Sequence, residues 1–272
     1  GQAMSWPLAA NLSLLFPELP LIERVAAARH AGFDGVEIQF PYDTPAEQLA
    51  SALAAAELPL VLINLPAGDF VQGGPGLAAV PARQDDFDAA LAQALRYAAE
   101  VRPQRVNVLP GRLADGVARA SALACLVANL RRAADAFAEL GIGVCCEAIN
   151  RLDIEGFLVA GSAELAELIV EVDHPNCSAQ LDFYHMARMG EALPASVAAL
   201  AGRIGHVQFA DVPGRGAPGS GEMDFSSALN ALRQADYEGW LAAEYRPVAG
   251  DATSLQWLAQ WRQQGWAKAG EA

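Results

Sequence analysis

The sequence predicts a single (β/α)8 barrel over residues 4–272, and three observations support it. Eight short apolar runs alternate with eight helix-forming stretches, an order that demands a parallel sheet with helical crossovers. Eight such units in 272 residues match the size of a closed barrel. The doubly wound open sheet shares this alternation, but the GxGxxG phosphate turn it carries after the first strand is missing.

The first unit is LAANLS (8–13), followed by a helix from near Glu18 through IERVAAARH that Gly32 closes. GVEIQF (35–40) leads to a second helix, with Thr44 expected as its N-cap and Pro45 in its first turn. LPLVLINL (58–65) is a continuous apolar run, as expected of a strand buried on both faces. A loop rich in glycine and proline separates it from a helix over about 84–101. RVNVLP (105–110) passes through Gly111 to a helix over roughly 116–140. IGVCCEAIN (142–150) precedes SAELAELIVEV, a helix that Ser162 and Glu164 open. SAQLDFYH (178–185) is followed by helical residues around 194–201, and IGHVQFADV (204–212) by a loop and then FSSALNALRQA. WLAAEY (240–245) and a helix over about 254–265 complete the eight. Gly1-Gln2-Ala3 before Met4 reads as a scar of recombinant expression, outside the fold.

Four oxygen-bearing side chains stand where successive strands should end: Glu147, Asp182, Gln208 and Glu244. In a barrel of parallel strands those ends form one face, where active sites gather. Four oxygens converging there would suit a hard divalent cation such as Mg2+ or Mn2+. Any one acid alone reads equally well as a structural salt-bridge partner; four at equivalent positions point to a site. Gln208 is the neutral member: its amide oxygen is a legitimate ligand for Mg2+ or Mn2+, or else it hydrogen-bonds a neighbour inside the barrel.

Of the four histidines, His30 at a helix end and His174 in a DHPN turn read as structural. His185, three residues beyond Asp182, is a candidate for touching substrate. His206 shares a strand face with Gln208 and is expected to line the barrel. The loop at 210–225 is either a flexible connection or a mount for Arg215, whose planar fork suits a carboxylate. Arg83 is a second, weaker candidate of that kind, and the tryptophans of the late helices read as packing.

Composition narrows the function classes. Hydrophobic residues make up 53% of the chain, enough for a substantial core and too many for a disordered one. A net charge of −14 argues against a nucleic-acid partner, which needs a cationic footprint. No run is apolar for long enough to span a membrane, and no secretory signal is visible, so a cytoplasmic setting is expected. Cys125, Cys145, Cys146 and Cys177 lack any zinc spacing and read as reduced, mostly buried thiols; the adjacent pair should point to opposite faces of one strand.

AANLSLLF (9–16), AGFDGVEIQFPYD (31–43), INLPAGDF (63–70), the EAIN run from Glu147, LDFYHM (181–186), GHVQFADVPGR (205–215), PGSGEMDF (218–225) and the GW…EY of 239–245 occur in order along nearly the whole chain. In these segments the chain resembles the hydroxypyruvate isomerase family of xylose-isomerase-like barrels. The resemblance implies a divalent metal at Glu147, Asp182, Gln208 and Glu244, and substrate contacts from Asp153, His185 and Arg215. Related ketose 3-epimerases place histidine where Gln208 stands and usually glutamate where Asp153 falls; Ala148 replaces a common proline.

The implied reaction interconverts hydroxypyruvate and tartronate semialdehyde through an enediolate. Glu147 and Glu244 would move the proton, and the partner would be a small 2-oxo acid or ketose. A four-carbon 2-oxo-tetronate isomerase and a ketose 3-epimerase are the rivals within enzymes. A non-catalytic carbohydrate- or metal-binding barrel is the rival outside them. An abasic-site endonuclease barrel would need more histidine ligands and a basic surface. A homo-oligomer is compatible with the chain, though no stripe in it marks an interface.

Overall fold

The computed structural model describes residues 4–248 and 252–269. The proposed scar at 1–3 lies outside these residues. Eight parallel strands close into a barrel in sequence order: β1 (Leu8–Asn11), β2 (Gly35–Ile38), β3 (Leu60–Asn64), β4 (Arg105–Asn107), β5 (Gly143–Glu147), β6 (Cys177–Asp182), β7 (Ile204–Phe209) and β8 (Leu241–Ala243). The ring closes where Leu8 of β1 pairs with Leu241 of β8. Helices α1 (Leu21–Ala31), α2 (Ala46–Ala56), α3 (Gln84–Val101), α4 (Arg119–Ala138) and α5 (Ser162–Val172) return the chain after β1 to β5. After β6 come two helices, α6 (Phe183–Arg188) and α7 (Leu193–Leu200); α8 (Phe225–Gln234) follows β7, and α9 (Gln256–Gln263) follows β8.

Local chemistry sets these boundaries. Gly32, at φ +100°, takes the left-handed cap that ends α1, a conformation costly for any residue with a Cβ. The expected Thr44 cap is displaced by one residue: Pro45, extended at ψ 134°, holds the cap position of α2, and no side chain bonds there. Ser162 opens α5 with outside help, because Glu191 accepts both its backbone N–H (2.9 Å) and its hydroxyl (2.6 Å). The expected strand over 178–185 stops at Asp182, whose carboxylate accepts from the His185 N–H (3.3 Å) and so caps α6.

Most of the core lies between the strands and the helical ring. Phe209 of β7 meets Trp257 and Trp261 of α9 at centroid distances of 5.2 and 4.8 Å, so these late-helix tryptophans do pack. The lower interior of the barrel is filled separately by Ala9, Val61, Ala242 and Trp240. Cys146 joins the outer core while Cys145 turns inward, 3.5 Å from the Ser178 hydroxyl, as adjacent strand residues must. All four cysteines are free thiols. Among the described residues no helix is long and apolar enough to cross a membrane. Inward positions near the strand tops are polar, which reserves that end of the barrel for chemistry.

Candidate active site

Glu147 ends β5 and Asp182 ends β6; Gln208 is the penultimate residue of β7, and Glu244 lies one past β8. All four are buried. A register shift between β6 and β7 puts Asp182 directly opposite Gln208 and Gln180 opposite His206. Glu147, Asp182 and His185 each offer an atom within 4.8 Å of the others, forming a compact acid–imidazole cluster.

A second tier of polar side chains holds these groups. Asn107 donates to Glu147 Oε1 (3.0 Å), and Asn11 donates to both Glu244 Oε2 (3.1 Å) and Glu37 Oε1 (3.0 Å). Glu37 is fully buried and also accepts from His206 Nε2 (2.7 Å) and Gln208 Nε2 (2.7 Å). A carboxylate only accepts, so Glu37 fixes the Gln208 amide with its nitrogen toward β2; its oxygen accepts from Gln180 Nε2 (2.8 Å). The sequence reading missed Asn11, Glu37, Asn107 and Gln180. The signal was present: Glu37 interrupts an apolar strand, and the others lie on inward positions with period two.

Arg215 projects from the loop after β7. One guanidinium nitrogen lies 2.8 Å from Glu244 Oε1, and the group stacks 5.1 Å from the Tyr184 ring centroid. His185 Nδ1 lies 2.8 Å from Asn150 Nδ2, a donor, so the imidazole proton sits on Nε2, the nitrogen 3.7 Å from Asp182 Oδ2. Asp153, like Asp182, is not among the residues lining the pocket. Its carboxylate accepts from the Tyr184 hydroxyl (2.6 Å), Asn150 (3.2 Å) and Arg188 (3.2 Å), so it braces the residues around His185. Arg83 is also elsewhere, paired with Asp69 at 2.7 Å in the loop after β3.

The pocket at the strand tops has a volume of about 150 Å3. Glu147, His185, Gln208, Arg215 and Glu244 line it, together with the apolar Phe40, Phe70 and Ile154. Burial, and then the Asp182 charge, push the Glu147 carboxyl up to about 8; the Asn107 hydrogen bond pulls the other way. Burial drives Glu244 well above the usual carboxylate range, against the pull of Arg215. Burial lowers His185 and keeps it neutral, with Asp182 opposing. Several buried acids therefore crowd one small space with a single guanidinium among them. That deficit of positive charge, together with a donor set made mostly of oxygen, fits a hard divalent cation.

Comparison with known proteins gives consistent results. A family model described as "Xylose isomerase-like TIM barrel" matches residues 25–261. A hydroxypyruvate isomerase of Escherichia coli (strain K12) is 39% identical over 254 residues, covering 93% of this chain and 98% of the relative. A 2-oxo-tetronate isomerase of Pectobacterium atrosepticum is 36% identical over 253 residues, covering 93% and 97%. Among solved structures, one titled AP endonuclease, family 2, from Brucella melitensis superposes with a TM-score of 0.89 at 35% identity, covering 94% of this chain and 99% of that one.

Proposed function

Because this chain belongs to the family of xylose isomerase-like TIM barrels, with isomerases among its similar relatives, we propose that it interconverts hydroxypyruvate and tartronate semialdehyde. The observation that carries the reading is the meeting of Glu147, Glu244 and Arg215 around one small pocket. Two carboxylates there can move a proton between adjacent carbons, and a guanidinium can hold the acid end of a 2-oxo acid.

Glu147, Asp182, Gln208 and Glu244 would hold a divalent cation, Mg2+ or Mn2+. When bound it supplies Lewis-acid stabilisation of negative charge developing on the substrate oxygens and keeps the acids ionised near neutrality. One glutamate takes the proton from the carbon bearing the hydroxyl, leaving an enediolate; the other returns a proton to the neighbouring carbon, and the hydroxyl proton passes from the first oxygen to the second, so that hydroxyl and carbonyl exchange places. Arg215 pairs with the substrate carboxylate and fixes which carbon faces which glutamate. Neutral His185, its Nε2–H directed into the site, donates to a substrate oxygen. Asp153 acts through Tyr184 and Asn150, on which Arg215 and His185 rest. Phe40, Phe70 and Ile154, which line the same pocket, supply apolar surface that excludes water from the reacting carbons.

The 2-oxo-tetronate isomerase relative supports a second reading, a four-carbon substrate on the same acids. Ketose 3-epimerisation fits less well, because Gln208 holds the place of an epimerase histidine. A nuclease role suits neither the net charge of −14 nor the small pocket. The test is Glu147→Gln and Glu244→Gln, each of which should abolish turnover of hydroxypyruvate. Wild-type rates in either variant would exclude its carboxylate from proton transfer.

A further inference from the structure

Arg215 is delivered to the pocket by a loop whose backbone N–H groups converge on one buried side chain. Asp211, 1% exposed, follows β7 by two residues. Its carboxylate accepts four backbone N–H groups: Val212 (2.8 Å) and Met223 (2.9 Å) on one oxygen, Gly219 (2.9 Å) and Gly221 (3.0 Å) on the other. Its own backbone closes the near turn, the N–H donating to Gly216 O (2.8 Å) and the carbonyl accepting from Arg215 N–H (2.9 Å). The far strand of the loop is drawn in so tightly that a Cβ at Gly221 would stand 2.0 Å from Val212 O. Arg215 itself sits at φ +59°, a left-handed conformation that a free loop would abandon.

We propose that Asp211 is a positioning residue for the reaction: its carboxylate gathers residues 211–223 into one turn and thereby aims the Arg215 guanidinium at the substrate's acid group. The inference rests on the reading of Arg215 as the carboxylate clamp. Four N–H donors use both oxygens of a carboxylate. An asparagine at the same place offers one acceptor oxygen and turns an NH2 group against two of the four donors, so Asp211→Asn should open the loop without changing its length.

Turnover of hydroxypyruvate in the parent, Asp211→Asn, Arg215→Met and the double variant tests the proposal, with Mn2+ binding followed by calorimetry. Asp211→Asn should raise KM by about tenfold or more, with Mn2+ affinity within about threefold of the parent. In the Arg215→Met background it should add less than about twofold, because the contact it serves is already gone. An equal fold-effect in both backgrounds would overturn the proposal. Tryptic cleavage after Arg215 reads the loop without reference to activity: the parent should resist, and folded Asp211→Asn should be cut there. Equal resistance in both would also overturn the proposal. If the asparagine variant does not fold, Asp211→Glu, which keeps the charge on a longer arm, takes its place and should show partial cleavage; parent-like resistance there would count against the proposal. Absence of turnover in the parent would strike the proposed reaction and leave the proteolysis to judge Asp211.

Discussion

Replacing Arg215 by methionine keeps only the aliphatic stem of the side chain while removing its charge, its forked donors and the guanidinium that stacks on Tyr184. The arginine side chain is 19% exposed, and no other arginine or lysine lines the described pocket, so nothing nearby can substitute for it. A charge-assisted hydrogen bond in such a setting contributes about 2–3 kcal/mol, or roughly 30- to 150-fold in kcat/KM for a 2-oxo acid. A neutral three-carbon hydroxyketone lacks the acid group, and its inhibition constant should move by less than about threefold. The metal-free protein should also lose stability, since Glu244, already pushed toward its protonated form by burial, loses its partner at 2.8 Å and must either stay charged alone or take up a proton. That loss is about 3 kcal/mol, and at about 2 °C per kcal/mol for a chain of this size it lowers Tm by about 6 °C. Steady-state kinetics on hydroxypyruvate at saturating Mn2+, inhibition by the hydroxyketone and thermal melts measure all three. Equal losses for the acid and the neutral compound would refute the clamp.

Gln208→Leu removes the donor to Glu37 and the acceptor for Gln180, leaving two buried groups short of a partner. Chemical denaturation of the metal-free protein should show a loss of about 3 kcal/mol, and a change below about 0.5 kcal/mol would contradict this hydrogen-bond account. The Glu147 carboxyl, at 4.5 ordinarily and about 8 when folded, makes the folded state hold a proton that the unfolded chain releases. Its stabilising effect is complete at acid pH and fades as pH rises toward 8. Below pH about 6.5 the lowered His185 contributes the opposite slope, so the clean window lies above it. Melts of metal-stripped protein should therefore fall in temperature from pH 6.5 to 8, and Mn2+ should flatten the fall; a rise over that window would count against a buried, proton-holding Glu147.

The strand ends were legible because apolar runs closed by Glu147, Asp182 and Glu244 obey a periodicity that needs no long-range information. The tier beneath was not, although Glu37 stood in plain view within GVEI. Whether it meets His206 and Gln208 depends on the stagger around the closed barrel and on the register shift between β6 and β7, neither of which a local pattern encodes. Asp153 shows a different limit. The resemblance implied a substrate contact for it, whereas its carboxylate accepts from Tyr184, Asn150 and Arg188, partners that only the folded turn after β5 brings together. Thr44 lost its expected cap because Pro45 supplies an extended conformation of its own at that position. Asp211 carries no signal within FADVPGR, since four backbone N–H groups converge on it only once the loop is closed.

The central claim is that the acids at the strand tops hold a divalent cation and move a carbon-bound proton of a short 2-oxo acid. Its most direct measurement is exchange of that proton in D2O, followed by NMR on hydroxypyruvate with metal-stripped protein and again after Mg2+ or Mn2+ is restored. Deuterium should enter hydroxypyruvate and tartronate semialdehyde only with the metal present, and Glu147→Gln and Glu244→Gln should show none. Tight binding of hydroxypyruvate with no exchange under any metal, or exchange unchanged by metal removal, would contradict the account.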